Sequence, residues 1–430
     1  MSKMWSAKIL NVLLPAVLIG CSPNGEGADQ ESEDEVVLDF MYWSSSDSEE
    51  RAFQEQFQQF EEENPGIKID AHPMPGDDIH MQAKIRIAAD DAPDLIRIQY
   101  QQLGEYLGED ALLDVSDIYE DNIEQFNPSL LEAVSQGDAI YGMPHHTDTL
   151  ALFYNKTYMD ELGIEPPNQI DEAWTWEELF DVSQQLQEHD LANYGLAYSW
   201  DEGSAYRILP LFYQNSVSIF SNDLSEATVN TEDGVDTLRQ IQEMYQNHMS
   251  VGNSARGGDD PNLLFTSGTA GMLIDGNWMI PEYEESTEFE WEVTFMPQGE
   301  QSASDMGGNA VAIPENAPQP EEGKKFLEFL GEADNNMAFA EEGIFIPGRT
   351  DVDDEIDYDF DDPDSIEAME VFLEQAETVP EHMAQTMTIP EFNEINQVIA
   401  DQMENLLVYE ETPEDVANSL EEEIDSIIKD

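Results

Sequence analysis

Two rhythms of apolar and polar positions alternate along this chain of 430 residues. The run VVLDFMYW, 36–43, reads as a strand, and SEERAFQEQFQQFEEENPG then repeats Phe53, Phe57 and Phe60 at helical spacing until Asn64-Pro65-Gly66 ends the helix. IKIDA, 67–71, alternates again as a strand. A second helix carries Ile79, Ala83 and Ile87 on one face, and DDAP leads from it into the strand DLIRIQY, 94–100. Strand, helix, strand, helix, strand at this spacing predicts right-handed βαβ units and a parallel sheet. In such sheets a ligand sits beyond the carboxyl ends of the strands, so the tips Trp43-Ser44-Ser45 after the first strand and Gln99-Tyr100-Gln101 after the third stand out, with Trp43, Ser44, Gln99 and Tyr100 as candidate contacts. Further on, LALFYNK, 150–156, is another apolar strand, and WTWEELFDVSQQL, 174–186, is a helix whose start Thr175 signals. The last helix has Thr412 as N-cap and Pro413 at the first helical position, with Val416, Leu420, Ile424 and Ile427 on one face. There is no internal repeat. A mature chain of about 400 residues exceeds one ordinary core and points to two domains.

The first residues, MSKMWSAK, hold two lysines and no acid, and twelve residues of mostly apolar character, ILNVLLPAVLIG, follow. That run is too short to span a bilayer and reads as a secretory signal, 1–20. Leu18-Ile19-Gly20-Cys21 resembles the bacterial lipobox, whose thiol is acylated and becomes the new N-terminus. Cys21 is the single cysteine of the chain, which excludes disulfides, cysteine metal sites and a thiol nucleophile. The acidic stretch 21–35 reads as a flexible tether. The folded part is expected to begin near Val36, outside the cytoplasm and anchored to a membrane by lipid.

The balance of 95 Asp and Glu against 15 Lys and Arg, a net charge of −80, lies far outside the ordinary range. At molar salt the Debye length shrinks to about 3 Å, and the acids become nearly independent hydrated groups. Most therefore read as a solvated surface adapted to salt. Nucleic-acid binding is disfavoured because phosphate contacts need basic clusters. Disorder would also explain high charge, but 40% hydrophobic residues with 7 Trp, 15 Tyr and 19 Phe argue for a packed core.

Several segments together resemble the family 1 extracellular solute-binding proteins, the sugar-binding lipoproteins of ABC importers that include maltose-binding protein. They are FEEENPGIKI, 60–69; APDLIRI with LLDVSD, 92–117; IYGMPHHTDTLALFYNKTYMDELGIEPP, 140–167; TWEELFD, 175–181; LFTSGTAGMLIDGNW, 264–278; and GGNAVAIPENAPQPEEGKKFLEFL, 307–330. The resemblance implies an α/β, two-lobed periplasmic-binding-protein-like fold with a hinge between discontinuous α/β lobes. Lobe 1 would comprise 36–145 and 297–342, and lobe 2 would comprise 149–293 and 347–430. The crossings would lie near 145–149, 292–297 and 343–348. Closure of the lobes on a carbohydrate would signal occupancy to the permease subunits of an ABC transporter. The protein is expected to act as a monomer without cofactor or metal.

A sugar presents an apolar ring face and many hydroxyls, so its site needs aromatic platforms beside carboxylates and amides. By the resemblance, Trp278 in DGNW falls at a cleft-facing position and Asp148 in PHHTDTLALFYNK at a hinge position where a ligand-contacting acid occurs. Core packing is the competing reading for Trp278. Trp43 at its strand tip, with a lobe-surface role as its alternative, and Trp200 with Asp201 in the loop YSWDEGS, are further candidates. Adjacent imidazoles on a strand point to opposite faces, so of His145 and His146 at most one lines the cleft, and His145 is the candidate. Gly307 and Gly308 allow close backbone approach. Arg349, after FIPG, either bonds hydroxyls or pairs with surface acids.

Two other classes are weaker. A secreted hydrolase with paired carboxylates has no specific signal among so many acids, and G-x-S-x-G, H-E-x-x-H and P-loop patterns are absent. The segment DYDFDDPDSIEA, 357–368, fails as an EF-hand because Asp362 replaces the turn glycine and Ala368 the bidentate glutamate. Among binding proteins, a peptide or polyol remains an alternative solute.

Overall fold

A computed structural model describes residues 35–120, 122–352, 356–358, 363–380 and 382–429. The leader, Cys21 and nearly all of the tether lie outside the described residues, as does part of the Asp-rich stretch 351–365.

Two sheets organise the molecule. The first holds β1 (Val36–Tyr42), β2 (Ile67–Pro73), β3 (Leu95–Gln99), β4 (Met143–Thr147), β9 (Asn309–Ala312) and β10 (Ile346–Pro347), in the order β10-β4-β9-β3-β1-β2. Its β1, β2 and β3 are parallel, and β9 runs antiparallel to both β3 and β4. The second sheet is β8-β5-β7-β6, built from β5 (Leu150–Asn155), β6 (Tyr194–Tyr198), β7 (Ala270–Gly276) and β8 (Trp291–Thr294). Helices cover both sheets and give an α/β fold of two lobes.

Local chemistry sets the elements. Helix α1 (Asp47–Glu63) starts at Ser46, whose hydroxyl accepts from the Glu49 N–H at 3.1 Å, and it buries Phe53, Phe57 and Phe60 against β1. Three aromatics at this spacing lie on one stripe of a helix, and each one withdrawn from water stabilises the fold by roughly 1.5–3 kcal/mol. Helix α2 (Gly76–Ala88) turns Ile79 and Ala83 inward and leads back to β3, after which α3 (Tyr100–Gly108) begins at once.

In the second lobe, α4 (Trp176–Glu188) opens with a capping box. The Thr175 hydroxyl accepts from the Glu178 N–H at 3.3 Å, and the Glu178 carboxylate accepts from the Thr175 N–H at 2.8 Å. Thr175→Ala is expected to cost about 1 kcal/mol in denaturant unfolding with no change in ligand affinity, because it leaves the Glu178 N–H without its partner, far from the cleft.

Two of the three expected crossings need correction. The first is short, since only Asp148 and Thr149 separate β4 in one sheet from β5 in the other. The second spans 295–308 rather than 292–297. Its Gln298 N–H donates to Trp174 O, and Ala303 O accepts from Gln214, so the segment stays on the second lobe to that point and joins the first lobe at Gly307 and Gly308, whose carbonyls accept from Thr147 and Tyr100. The third comes after Arg349, because β10 pairs with β4 and Gly348 bonds to Asn127 and Asn336 of the first lobe.

The C-terminal part is not confined to lobe 2 either. Helix α5 (Pro363–Ala376) packs on β8 and β5, but the short α6 (Met383–Met387) lies against α3 and residues 128–133 of the first lobe. Its Met383, Ala384 and Met387 are buried in the same apolar cluster as Ile395 of the following helix, Phe392–Leu407.

Candidate functional site

The carboxyl ends of β1 and β3, the β4–β5 crossing and the turn after β7 converge on a cavity of about 100 Å³ between the lobes. Larger grooves, of about 890 and 910 Å³, lie on the second lobe away from these strand ends and are lined mostly by helix-surface acids and amides. What sets the interlobe cavity apart is chemistry: two tryptophans, one from each lobe, and two arginines in contact with their rings.

On the first lobe, Arg97 projects from the middle of β3 and is 1% exposed. Its guanidinium lies 4.4 Å from the centre of the Trp43 ring and donates to Trp43 O at 2.5 Å, to the Glu49 carboxylate, and to His146 Nε2 at 2.9 Å. Glu49, the third residue of α1, turns back so that its second oxygen accepts from the Ser45 N–H at 2.5 Å. The loop that carries Trp43 is therefore fixed by a fully buried ion pair. Burial and the Arg97 charge push the His146 imidazole well below its usual range and keep it neutral, as an acceptor toward Arg97 must be.

On the second lobe, Trp278 follows β7 and Arg207 comes from the turn Ala205–Ile208, with the guanidinium 4.6 Å from the Trp278 ring centre. Arg207 Nη1 donates to Ser199 O at 3.2 Å. Neighbouring Tyr206 accepts at its hydroxyl from Gln101 of α3 at 3.3 Å, a bond that runs from lobe to lobe across the cavity.

Asp148 sits at the crossing itself. Burial, followed by the nearby Asp305 charge, pushes its carboxyl up to about 7, against the pull of Arg207 and Arg97. Burial raises Asp305 to about 6, although Arg207 and the Leu150 N–H oppose the shift. A carboxyl with a raised folded-state value binds its proton more tightly when folded, so its contribution to stability is present at low pH. It is lost as pH rises through the folded value. Between pH 5 and 8 the Asp148 carboxyl alone should remove about 3 kcal/mol, two pH units of differential protonation. Asp148→Asn is expected to abolish that slope, and denaturant unfolding of both proteins at the two pH values in fixed molar salt checks it.

Of the residues singled out from sequence, Trp278, Asp148, Trp43, Gln99, Gly307 and Gly308 line the cavity. The glycines make room for protein rather than solute. A Cβ on Gly307 would lie 1.8 Å from the Asp148 carboxylate, and one on Gly308, where φ is +99°, would lie 2.5 Å from His146 O. The two histidines do face opposite ways, but the expected one is the wrong one. His145 turns into the first lobe, its ring centre 3.7 Å from that of Phe339 and its imidazole bonded to Gln56, while His146 reaches the cavity.

Other candidates lie outside it. Tyr100 is buried beneath the wall and donates to His146 O at 3.1 Å. Ser44 donates to Glu50, leaving the cavity to Ser45. Trp200 is buried with its indole N–H on Asn253 O, and exposed Asp201 caps its own turn through Ser204. Arg349 braces the first lobe through Asp351, Gly331 O and Gln125. Sequence reasoning missed Arg97, Arg207, Tyr206 and Glu49. An arginine inside the apolar strand LIRIQ was a signal for the first, because buried charge is rare without a purpose.

Residues 44–337 match the profile of the bacterial extracellular solute-binding protein family. The chain belongs to that family. An arabinooligosaccharide-binding protein of Bacillus subtilis is 22% identical over 358 residues, 80% of each chain. Among solved structures, an ABC substrate-binding protein of Listeria monocytogenes in complex with cycloalternan is similar with a TM-score of 0.79 at 22% identity. That match covers 92% of this chain and 100% of the other. The GacH receptor of Streptomyces glaucescens is similar with a TM-score of 0.79 at 21% identity, covering 92% and 99%. As a solute-binding protein, the chain has its cavity where open α/β folds hold ligands. Among the described residues no helix is long and apolar enough to cross a membrane.

Proposed function

We propose that this solute-binding protein captures a carbohydrate between its lobes and presents it to the permease of an ABC importer, performing no chemistry on it. The observation that carries this reading is the pair of tryptophans, Trp43 and Trp278, on opposite walls of one polar cavity. Indole rings match the apolar face of a sugar, and Gln99, Gln101 and Asp148 supply the amides and carboxyl that match its hydroxyls. The names of similar proteins, which bind arabinooligosaccharides or were solved with cycloalternan, support the same ligand class.

A cavity of about 100 Å³ is smaller than the pockets of roughly 300–1,000 Å³ that hold small ligands, so a sugar enters only when the lobes part. Such motion about the two-residue crossing at Asp148 and Thr149 would break the Gln101–Tyr206 bond and reform it on closure. The protein works outside the cytoplasm as a monomer, tethered through acylated Cys21. Calorimetric and tryptophan-fluorescence titration in molar salt, against mono-, di- and oligosaccharides, tests the reading. Saturable one-to-one binding of a sugar class supports it; a folded protein silent to the whole panel, or one that consumes a sugar, overturns it.

A further inference from the structure

We infer that Arg207 reads a carboxylate on the ligand, so that the solute of this cleft is an acidic carbohydrate, one carrying a hexuronic acid unit. The inference rests on the carbohydrate reading of the cleft and narrows its ligand class. It starts from an imbalance. The chain has 95 acids and seven arginines, and six of those arginines have a carboxylate within 4.0 Å: Arg51, Arg86, Arg97, Arg239, Arg256 and Arg349. Among the described residues, Arg207 is the one arginine that does not. In so acidic a molecule, a guanidinium that faces a cavity and closes on no acid is placed for something that comes from outside.

The donors of Arg207 are not all taken. Nη1 is held by the Ser199 carbonyl and the Tyr206 hydroxyl lies within hydrogen-bonding reach, but Nε has no partner. The fork of a guanidinium matches a carboxylate bidentately, which a hydroxyl cannot do. Arg97 on the facing wall also has an unpartnered Nε, but both of its terminal nitrogens are taken, Nη1 by Trp43 O and Nη2 by Glu49 and His146.

The acids around Arg207 secure its charge without taking its fork. Asp275 accepts from the Gly276 N–H and the Tyr283 hydroxyl, each oxygen being used once. Asp305 accepts from the Leu150 N–H. Of the other groups facing the cavity, Glu49 is closed on Arg97 and His146 is neutral, which leaves Asp148 as the acid an anionic ligand would meet. Its carboxyl holds a proton readily near neutral pH, and a protonated carboxyl donates to a carboxylate instead of repelling it. Binding of an acidic sugar is thus coupled to proton uptake, and affinity rises as pH falls from 8 to 6.

The test is calorimetric titration of the protein in fixed molar salt with D-galacturonate and D-glucuronate, their disaccharides, and the neutral counterparts D-galactose and D-glucose with theirs. The expected result is a preference of at least about tenfold for an acidic ligand over its neutral isostere. That preference should grow at lower pH and collapse toward one in Arg207→Met. If Arg207→Met does not fold by thermal melting, Arg207→Lys carries the test, since it keeps the charge and loses the fork and must lower the same ratio. Equal or tighter binding of the neutral partner overturns the acidic ligand and leaves the carbohydrate reading standing. Silence toward both classes and toward neutral oligosaccharides, from a protein shown to be folded, overturns both.

Discussion

Replacing Trp278 with alanine is expected to lower affinity for the cleft's ligand by roughly 30- to 700-fold, the equivalent of about 2–4 kcal/mol for a central aromatic anchor. The ring is half-buried between the lobes, stacked by Arg207 on the cavity side and packed against Gly276, where a Cβ would come within 1.8 Å of it. Removing it takes away a platform and lets the guanidinium of Arg207 drift, so two contacts are lost together. Stability should change much less, because the second-lobe core of Phe153, Phe265, Tyr283 and Phe372 does not depend on this ring. Titration of the variant, with circular dichroism and a thermal melt to establish that it is folded, separates the two effects. Retained affinity in a folded variant would move the binding platform to Trp43.

Periodicity carried most of the fold. The βαβαβ start, the three phenylalanines of α1 and the caps at Thr175 and Thr412 all follow from local sequence, and the structure has them in place. The crossings were less legible, because β9 and β10 are two to four residues long and gain their identity from antiparallel partners distant in sequence. In the site, Trp43 stood out as a rare type at a strand end, whereas Trp278 and Asp148 stood out only through the resemblance to the family. Glu49 could not, being one of 95 acids, and its role exists only because the sheet brings Arg97, 48 residues further on, against it. The choice of His145 over His146 failed for a similar reason. Alternation says that neighbours part ways but not which side of the strand faces the cleft, and that is decided when Phe53 and Phe339 close over one of them.

The Glu49–Arg97 pair predicts the largest change in stability. Glu49 is 0% exposed and Arg97 1%, so Glu49→Ala strands a guanidinium in the core of the first lobe and leaves the Ser45 N–H without its acceptor. Breaking a buried ion pair from one side costs about 3–5 kcal/mol, whereas replacing both partners by apolar residues of similar size is often neutral. Glu49→Ala should therefore lower stability by that amount in denaturant unfolding, and the double variant Glu49→Leu with Arg97→Met should recover most of it. Ligand affinity should not recover in the double variant, because Trp43 would lose the guanidinium over its ring and the donor at its carbonyl that hold it at the cavity wall. A double variant that regained both stability and affinity would reduce the pair to scaffold. Recovery of stability alone would mean that the pair is kept for the position of Trp43, at a cost the fold could avoid with apolar residues.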